Sequence, residues 1–377
     1  MKKEFLQNTG KLGFGFMRLP KNKDGRTDLG MTREMVDMFL DAGFRYFDTA
    51  RAYTGSEEAL KKTLVERYPR DRYYISTKNA AWVNCTTREE AIRQFDISME
   101  TTGAGYFDCY LFHNLGDDRT GIFEKFDLWS WAAELKERGL IRKLGFSFHG
   151  TSTQLDAILT RHPETDFVLL QINYADWNSP IIQSRRNYET ARKHSIPIIV
   201  MEPVKGGMLA SPPQPVAEVL RNADPSRSFS SWALRFAADL EGVALVLSGM
   251  SNLQQLSDNI KSLQNFETTP TNEKTVISKA REAFAGIRIV PCTNCNYCSK
   301  VCPLNIGISG TFTAVNYIYL YQNYFTAYAQ EKWFVQGKGH KSANECIRCG
   351  LCESVCPQHI LIRDELKKAA DLLAQKN

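Results

Sequence analysis

The cysteines of this 377-residue chain are the residues whose spacing most clearly indicates a chemistry. Eight of the ten lie in two runs, CTNCNYCSKVCP (292–303) and CIRCGLCESVCP (346–357), and each run reads Cys-x2-Cys-x2-Cys-x3-Cys-Pro. In a reducing compartment such runs favour metal ligation over disulfides. Structural zinc sites also use four cysteines, but normally as separated pairs around one ion. Four cysteines crowded into each short run therefore predict iron–sulfur clusters rather than zinc.

Both runs resemble those of bacterial two-cluster ferredoxins, in which the fourth cysteine of each run serves the other cluster. The resemblance implies two ligand sets for 4Fe–4S clusters: Cys292, Cys295, Cys298 and Cys356 for the first, and Cys346, Cys349, Cys352 and Cys302 for the second. The remaining two cysteines differ in setting. Cys109 lies in an apolar run and is expected in the core, whereas Cys85 lies in a loop without an expected ligand role.

A second set of residues, Asp48, Tyr53, Lys78 and His113, suits chemistry on a carbonyl group. A carbonyl that receives a hydride develops negative charge on oxygen and needs a proton donor in line. A tyrosine, with a pKa of about 10, holds its proton too tightly at neutral pH, and a nearby ammonium lowers that pKa. A carboxylate keeps the ammonium charged and aimed, and an imidazole stabilises the developing oxyanion.

A regular alternation along the first 250 residues predicts the strands and helices that carry these side chains. Short apolar runs alternate with stretches of helical period, which predicts a parallel sheet, and eight strands favour a closed (β/α)8 TIM barrel. Two signals predict helix starts: Thr32 before REMVDMFLDA, and the capping box of Thr87 with Glu90. A helix end is predicted by the final Lys, Arg and Gly of DLWSWAAELKERG (127–139). The eight runs are LGFGFM (12–17), FRYFDT (44–49), YYISTK (73–78), YFDCYLF (106–112), KLGFSF (143–148), FVLLQIN (167–173), IPIIVME (196–202) and VALVLSG (243–249).

The polar residues fall at the C-terminal ends of these strands, where the active sites of such barrels lie. Asp48, Lys78 and His113 end or follow the second, third and fourth runs, and Tyr53 stands five residues beyond Asp48. An isolated charge at a strand end is usually an ordinary cap, but four residues of these types on one rim indicate a catalytic site.

The stretch GFRYFDTARAYTGSEEALKKTL, the Lys of STK and the His of LFHN resemble the aldo-keto reductase family over roughly residues 10 to 265. The resemblance implies that Tyr53 is the general acid in reduction, that Lys78 and Asp48 tune it, and that His113 orients the substrate. It also implies an NADP(H) or NAD(H) cofactor, with Ser147 and Gln171 on the nicotinamide carboxamide. It further implies that the segment LSGMSNLQQLSDN (247–259) binds the adenosine phosphate end of the cofactor. The residues at the family's binding positions in this segment are Gly249, Met250, Ser251, Asn252, Gln255, Asp258 and Asn259.

Three positions depart from the family's pattern. Phe148 and His149 follow Ser147, where the family often has Asn. In MEPVKGG (201–207), Met201 or Glu202 stands where an aromatic ring often stacks on the nicotinamide. Gln255 replaces the arginine that usually meets the adenosine 2′-phosphate, and a neutral amide lacks that charge-assisted grip. The choice between NADP(H) and NAD(H) therefore stays open.

The alternation ends near residue 265, so the sequence predicts two domains. Residues 1–270 form the barrel, and 271–377 form a linker helix and a small α+β ferredoxin-like domain. The linker helix is expected over KTVISKAREAFAG (274–286). The segment FTAVNYIYLYQNYFTAYAQEKWF (312–334) between the cysteine runs is compatible with helix. Its aromatic residues favour packing against the barrel or another subunit over binding a membrane surface.

Composition narrows the class of protein. The net charge of +5 falls to about +1 when two clusters of about −2 each are bound, so nucleic-acid binding has little support. The N-terminus lacks an apolar signal-peptide region and no apolar run could span a bilayer, which predicts a soluble cytoplasmic protein.

The sequence thus predicts an oxidoreductase that interconverts a small-molecule carbonyl (aldehyde, ketone or sugar-like) and an alcohol with NAD(P)H. Two 4Fe–4S clusters are expected in the C-terminal domain. One alternative is an electron-transfer protein that docks a redox partner and carries a vestigial barrel site. Another is that the clusters are only structural. The substrate, the direction of the reaction and a homo-oligomeric state stay open. Flavin involvement also stays open, because hydride carries two electrons and each cluster takes one.

Overall fold

The computed structural model describes residues 9–116, 119–180 and 182–374, apart from the side chains of residues 321 and 334. Eight parallel strands close into a barrel in chain order, with β1 paired to β8. Each predicted apolar run overlaps one strand, so the (β/α)8 expectation is confirmed, although β3, β4 and β5 extend beyond their runs. The strands are β1 (Leu12–Gly15), β2 (Tyr46–Asp48), β3 (Tyr74–Asn79), β4 (Phe107–Leu115), β5 (Ile141–Phe148), β6 (Phe167–Gln171), β7 (Ile198–Met201) and β8 (Val243–Gly249).

Helices alternate with the strands along the chain. The helices up to residue 270 are α1 (Leu29–Asp41), α2 (Ser56–Leu60), α3 (Arg88–Thr102), α4 (Arg119–Lys125), α5 (Leu128–Glu137), α6 (Ser152–Arg161), α7 (Ser184–Lys193), α8 (Gln214–Ala223), α9 (Phe229–Ala238) and α10 (Leu253–Leu263). A π-helical turn at Lys61–Val65 continues α2. Short 3-10 turns lie at Phe16–Arg18, Arg70–Arg72 and Lys205–Ala210.

The helix boundaries show which sequence signals act. The Thr87–Glu90 capping box at the start of α3 is present, and α5 ends before Gly139, which has a φ of 72°. The start expected after Thr32 is wrong, because α1 begins earlier. The side chain of Asp28 accepts a hydrogen bond from the Met31 N–H and caps the helix, so Thr32 lies within the first turn.

The barrel core has two layers, because successive side chains of a strand point to opposite faces. One set of buried residues fills the interior: Tyr46, Cys109, Leu111, Phe167, Leu169, Ile199, Leu245 and Leu247. The alternate residues of the strands, such as Tyr110 and Phe112, belong to a larger cluster with the helices. Cys109 is therefore a core residue, as expected, and the same period places His113 in line with Cys109 and Leu111 on β4.

The chain divides into two compact units. One comprises the chain up to Pro203 together with Ser230–Pro270, and the other comprises Val204–Phe229 together with the chain from Thr271 onward. This differs from a simple division at residue 270, because the segment 204–229 belongs with the cysteine runs. Within the second unit α8 packs on the helix that begins at Thr271, and Arg227 pairs with Glu273 at 2.7 and 3.1 Å.

The second unit contains both cysteine runs and is largely helical. The helices are α11 (Thr271–Ala285), α12 (Tyr297–Val301), α13 (Ile308–Tyr321), α14 (Tyr324–Ala329), α15 (Leu351–Ser354) and α16 (Ile362–Ala374), with a π-helical turn at Gln330–Val335 and 3-10 turns at Gln336–Lys338 and Ala343–Glu345. An isolated parallel bridge joins Ile306 and Lys341. The aromatic-rich insert is helical but broken, because Gln322 has a φ of 49° and Asn323 caps α14.

None of the helices in the described parts of the chain is long and apolar enough to cross a membrane.

Candidate functional site

A buried ion pair lies at the C-terminal rim of the barrel. Lys78, near the end of β3, is 1% exposed, and its Nζ donates to Asp48 Oδ2 at 2.6 Å and to the Thr49 carbonyl at 2.7 Å. The other carboxylate oxygen of Asp48 accepts from Ser76 Oγ at 2.6 Å. The adjacent parallel strands β2 and β3 fix this arrangement, since Asp48 is opposite Ser76 in the register. A buried charge pair needs such hydrogen bonds to offset its desolvation.

Tyr53 and His113 complete the predicted set beside this pair. Tyr53 lies in the turn after β2, where its N–H donates to the Ala50 carbonyl, and its ring is half-buried. Lys78 Nζ lies 5.0 Å from the centroid of the Tyr53 ring. The Tyr53 and His113 rings meet edge to face with centroids 5.5 Å apart. All four predicted catalytic residues thus come together, although they are spread over 66 positions of the sequence, from Asp48 to His113.

The charge state of Lys78 reflects two opposing effects. Burial lowers the pKa of Lys78 below its ordinary value, and the Asp48 carboxylate opposes that shift. The pair is therefore balanced between desolvation and attraction. Asp48, and after it Glu57, favour the charged form of Lys78, whose Nζ lies close to the phenol ring of Tyr53.

The predicted nicotinamide residues lie farther round the same rim. Ser147, on β5, is buried, and its Oγ accepts a hydrogen bond from the Asn114 N–H at 2.7 Å. Gln171 ends β6 opposite Met201, which ends β7, and its Nε2 donates to Asp176 at 3.3 Å. The Ser147 hydroxyl and the Gln171 amide are thus oriented by neighbours, as groups that recognise a carboxamide must be.

The segment predicted to bind the adenosine phosphate end forms the start of α10. Asn252 caps the helix by accepting from the Gln255 N–H at 2.8 Å, and Gln255 Oε1 accepts from the Ser251 N–H at 2.8 Å. Gly249 is exposed at the end of β8 and Met250 is buried. Asn259 Nδ2 donates a hydrogen bond to Ser248 Oγ at 2.9 Å, and the Asp258 carbonyl accepts a hydrogen bond from Ser262 Oγ. A helix N-terminus of this kind attracts anions.

Sequence patterns did not reveal three further residues of the rim. Trp82 lies with its ring centroid 6.0 Å from that of His113. Thr49 holds Lys78 through its backbone carbonyl, which no residue type could indicate. Arg18, after β1, lies beside Gly249, where an added Cβ would come within 3.2 Å of its side chain. Arg18 also faces Glu202, at 3.8 Å. Its aliphatic stem therefore lies against Gly249, while its guanidinium faces the carboxylate of Glu202.

The eight cysteines of the two runs surround two separate small cavities. Cys292, Cys295, Cys298 and Cys356 line one, with Phe312 and Ile360 among its apolar neighbours. Cys302, Cys346, Cys349 and Cys352 line the other. Each cavity therefore has three cysteines from one run and the fourth from the other, which is the crossed arrangement that the resemblance implies. Cys85, in contrast, lies in the first unit against Val83 and Gln94.

The chemistry of both cavities fits an iron–sulfur cluster. Burial and the thiolates of Cys292, Cys295 and Cys356 raise the pKa of Cys298 well above its usual range. Burial, followed by the charges of Glu353 and Cys346, raises the pKa of Cys352 to about 11. Four thiolates cannot all ionise in so small an apolar space unless a cationic centre binds them. In the described parts of the chain, no three Cys, His, Asp or Glu residues form a group that could hold a single metal ion.

Comparison with protein families gives two matches along the chain. A model described as the aldo/keto reductase family matches residues 11–280, and one described as a 4Fe-4S dicluster domain matches residues 291–361. The chain is 28% identical to an aldo-keto reductase of Mycolicibacterium vanbaalenii, over 61% of this chain and 76% of that protein. It is 25% identical to the methylglyoxal reductase DkgB of Escherichia coli O157:H7, over 64% of this chain and 85% of that protein.

Solved structures show the same barrel. The aldo-keto reductase AKR11C1 from Bacillus halodurans, in its holo form, aligns with a TM-score of 0.56 and 22% identity, over 72% of this chain and 92% of that one. An aldo-keto reductase from Klebsiella pneumoniae in complex with NADPH aligns with a TM-score of 0.55 and 18% identity, over 71% of this chain and 90% of that one. At this level of identity the two structures establish the fold.

Proposed function

Because the chain belongs to the aldo-keto reductase family, we propose that it interconverts a carbonyl compound and the matching alcohol with NAD(P)H at the barrel rim. The substrate class is an aldehyde, a ketone or a sugar-like carbonyl. The observation that carries the proposal is the position of Lys78. Its ammonium is 5.0 Å from the Tyr53 ring centroid and is held by Asp48 and the Thr49 carbonyl.

Each residue of the rim has a chemical role in this proposal. The nicotinamide cofactor, when bound, supplies the hydride for the carbonyl carbon. Tyr53 donates a proton to the carbonyl oxygen, and the ammonium of Lys78 lowers the free energy of the resulting phenolate. Asp48 keeps that ammonium charged and fixed. His113 donates a hydrogen bond to the carbonyl oxygen and stabilises its developing charge.

The cofactor-binding residues are proposed from the same rim. Ser147 and Gln171 hold the carboxamide, with Met201 beside the nicotinamide ring. Gly249, Ser251, Asn252, Gln255 and Asn259 line the adenosine phosphate end at the start of α10. Arg18 adjoins that end, since its carbonyl accepts a hydrogen bond from Ser251 Oγ, but its guanidinium faces Glu202. Both NADP(H) and NAD(H) are compatible with this set of side chains.

The experiment that tests the proposal replaces the proposed acid alone. Tyr53→Phe removes one oxygen atom, and we expect NAD(P)H-linked carbonyl reduction to fall by about 10²- to 10⁴-fold while cofactor affinity stays within about twofold. Tyr110→Phe is the matched control, since Tyr110 is buried among the helix-facing residues of β4. Steady-state turnover and cofactor titration report both quantities. Unchanged turnover in Tyr53→Phe would remove Tyr53 from the role of acid.

We also propose that the two cysteine cavities hold one 4Fe–4S cluster each, with crossed ligands. Such clusters exchange single electrons. The arrangement is tested by comparing serine variants by electron paramagnetic resonance after reduction. Under crossed ligation, the spectrum of Cys302→Ser matches that of Cys346→Ser, and the spectrum of Cys356→Ser matches that of Cys292→Ser. The opposite matching, within each run, would show that each run holds its own cluster.

A further inference from the structure

The second cluster cavity is separated from the surroundings by very little protein. Among its four cysteines is Cys349, the one exposed ligand of the two sets. Ile347 lines the same cavity as Cys349 and is nevertheless 64% exposed. A side chain that contacts the cavity and also faces solvent leaves only one residue's thickness around the cluster site. The first cavity differs, because Cys298 and Cys356 are buried and Cys292 and Cys295 are only partly exposed.

Two more exposed apolar side chains accompany Ile347. Leu351 is 51% exposed and Leu361 is 65% exposed. The two segments that carry them are held together: Arg348 Nη1 donates to the Arg363 carbonyl at 3.0 Å. We call Ile347, Leu351 and Leu361 the cluster-edge patch. Exposed apolar side chains in such a group mark interaction sites more often than isolated ones do.

The charges around the cluster-edge patch are neutralised in pairs. Arg348 pairs with Asp364 at 2.7 Å, and Arg363 pairs with Glu353 at 2.7 Å. These side chains are about half exposed or less, so they remain in contact with water at the edge of the patch. An apolar centre with a polar, balanced rim is the usual anatomy of a protein–protein interface. Because each arginine is paired with a carboxylate, these four side chains add no net charge to the rim of the patch, which does not favour a strongly acidic or basic partner.

We infer that the cluster-edge patch docks a small one-electron carrier protein, whose own cofactor edge lies within an apolar and weakly charged face. The inference rests on the proposed cluster at Cys346, Cys349, Cys352 and Cys302. One electron leaves the reduced cluster and one electron reduces the carrier, so no bond breaks in this chain. Complexes of this type are transient and use small interfaces, which suits three side chains around one exposed ligand. The second cluster is thus the point of electron exchange with other proteins.

A flavodoxin, whose flavin edge is apolar, is the probe for this surface, and added salt screens the acidic groups elsewhere on it. The reconstituted full-length protein, reduced and freed of excess reductant under anaerobic conditions, is mixed with oxidised flavodoxin in a stopped-flow instrument. For the double variant Leu351→Glu/Leu361→Glu we expect the second-order rate of semiquinone formation to fall by about tenfold or more, since central apolar residues dominate such interfaces. Oxidation by ferricyanide should keep its wild-type rate. Phe325→Glu is the matched control, because Phe325 is 86% exposed on the aromatic insert.

Three other results would overturn the inference. Equal flavodoxin rates in the wild type and the double variant would show that the carrier does not use the patch. Equal slowing with flavodoxin and ferricyanide would show that the substitutions act on the cluster itself. A wild-type dimer that becomes a monomer in the double variant, seen by sedimentation, would make the patch a subunit interface. Iron and sulfide contents are measured first, because their absence contradicts the proposed clusters rather than the docking surface.

Discussion

The barrel rim and the cysteine cavities place their functional groups in opposite ways. At the rim, Lys78, Asp48 and Ser147 already have protein partners, and these partners come from neighbouring strands. In the cavities, the cysteines come from two short runs and crowd one another in apolar surroundings. The rim is therefore organised by the fold itself, whereas the cavities need a bound group to relieve the repulsion between thiolates.

Stability and function are therefore linked differently at the barrel rim and in the second unit. A rim built on paired strands shares the stability of the barrel core. A unit whose small core includes its cluster ligands depends on the bound clusters, because small cores bury little apolar surface by themselves. The buried residues of the second unit include three of the cysteines, Cys298, Cys352 and Cys356. We therefore expect the two units to respond differently to loss of iron.

The largest expected effect is that of iron removal on hydrogen exchange. A group held at about one hundred times its Kd adds about 2.7 kcal/mol to stability. Amides of α13 and α16 should then exchange about a hundredfold faster or more once iron is removed, while those of β4 and β5 keep their protection. Mass spectrometry of peptides measures both. Protection of α13 and α16 that survives iron removal would show that the second unit, too, is organised by the fold alone.

The same experiment tests where α8 belongs. The structure assigns residues 204–229 to the second unit, so α8 should lose protection together with α11 rather than with the barrel. A sequence can hardly show this. The amphipathic period of α8 predicts a buried face but does not say which helix covers it, and its position between β7 and β8 suggests an ordinary barrel helix. Only the pairing of Arg227 with Glu273 and the packing on α11 reveal the assignment.

At the barrel rim, the positions of the strands could be predicted from the sequence. The backbone and loop contacts beside their ends could not. Strand ends place Asp48, Lys78 and His113 on one edge because parallel strands align their carboxyl ends. The Thr49 carbonyl that holds Lys78 belongs to the backbone, and Trp82 reaches His113 from a loop. Neither has a periodic signal. The start of α1 was misplaced for a similar reason, because Asp28 and Thr32 are both good caps and the choice depends on the chain that precedes them.

A smaller effect tests how the first cluster cavity is enclosed. The turn at Lys205–Ala210 has positive φ at Gly206 (66°) and Gly207 (100°). A Cβ on Gly206 would lie 2.9 Å from the backbone of Thr293, between Cys292 and Cys295, whereas a Cβ on Gly207 meets nothing within 4 Å. Gly206→Ala should therefore displace the first cluster's binding loop and lower the iron content by about half, one cluster of two. Gly207→Ala carries the backbone strain without the contact and should retain its iron.

Equal iron loss in both glycine variants would mean that strain in the turn, and not contact with the Thr293 loop, limits cluster assembly. Full iron in both would show that the loop yields easily. Carbonyl reduction is measured alongside the iron content. Since Tyr53 and Lys78 belong to the other unit, we expect the rate to change less than the iron content does.

The smallest expected effect concerns the pH dependence of the rim. Burial lowers the pKa of Lys78, and the Asp48 carboxylate opposes that shift. Asp48→Asn removes the opposing charge, so the pKa of Lys78 should fall further and the ammonium should lose its proton at lower pH. The alkaline limb of kcat/KM for carbonyl reduction, which reports the Tyr53–Lys78 pair as a coupled system, should then move to lower pH. Ser76→Ala removes a hydrogen bond to Asp48 but keeps the carboxylate charge, and it should move the limb much less. An alkaline limb that stays in place in Asp48→Asn would mean that the fold keeps Lys78 charged without the Asp48 carboxylate. The rim would then depend on any single partner even less than its geometry indicates.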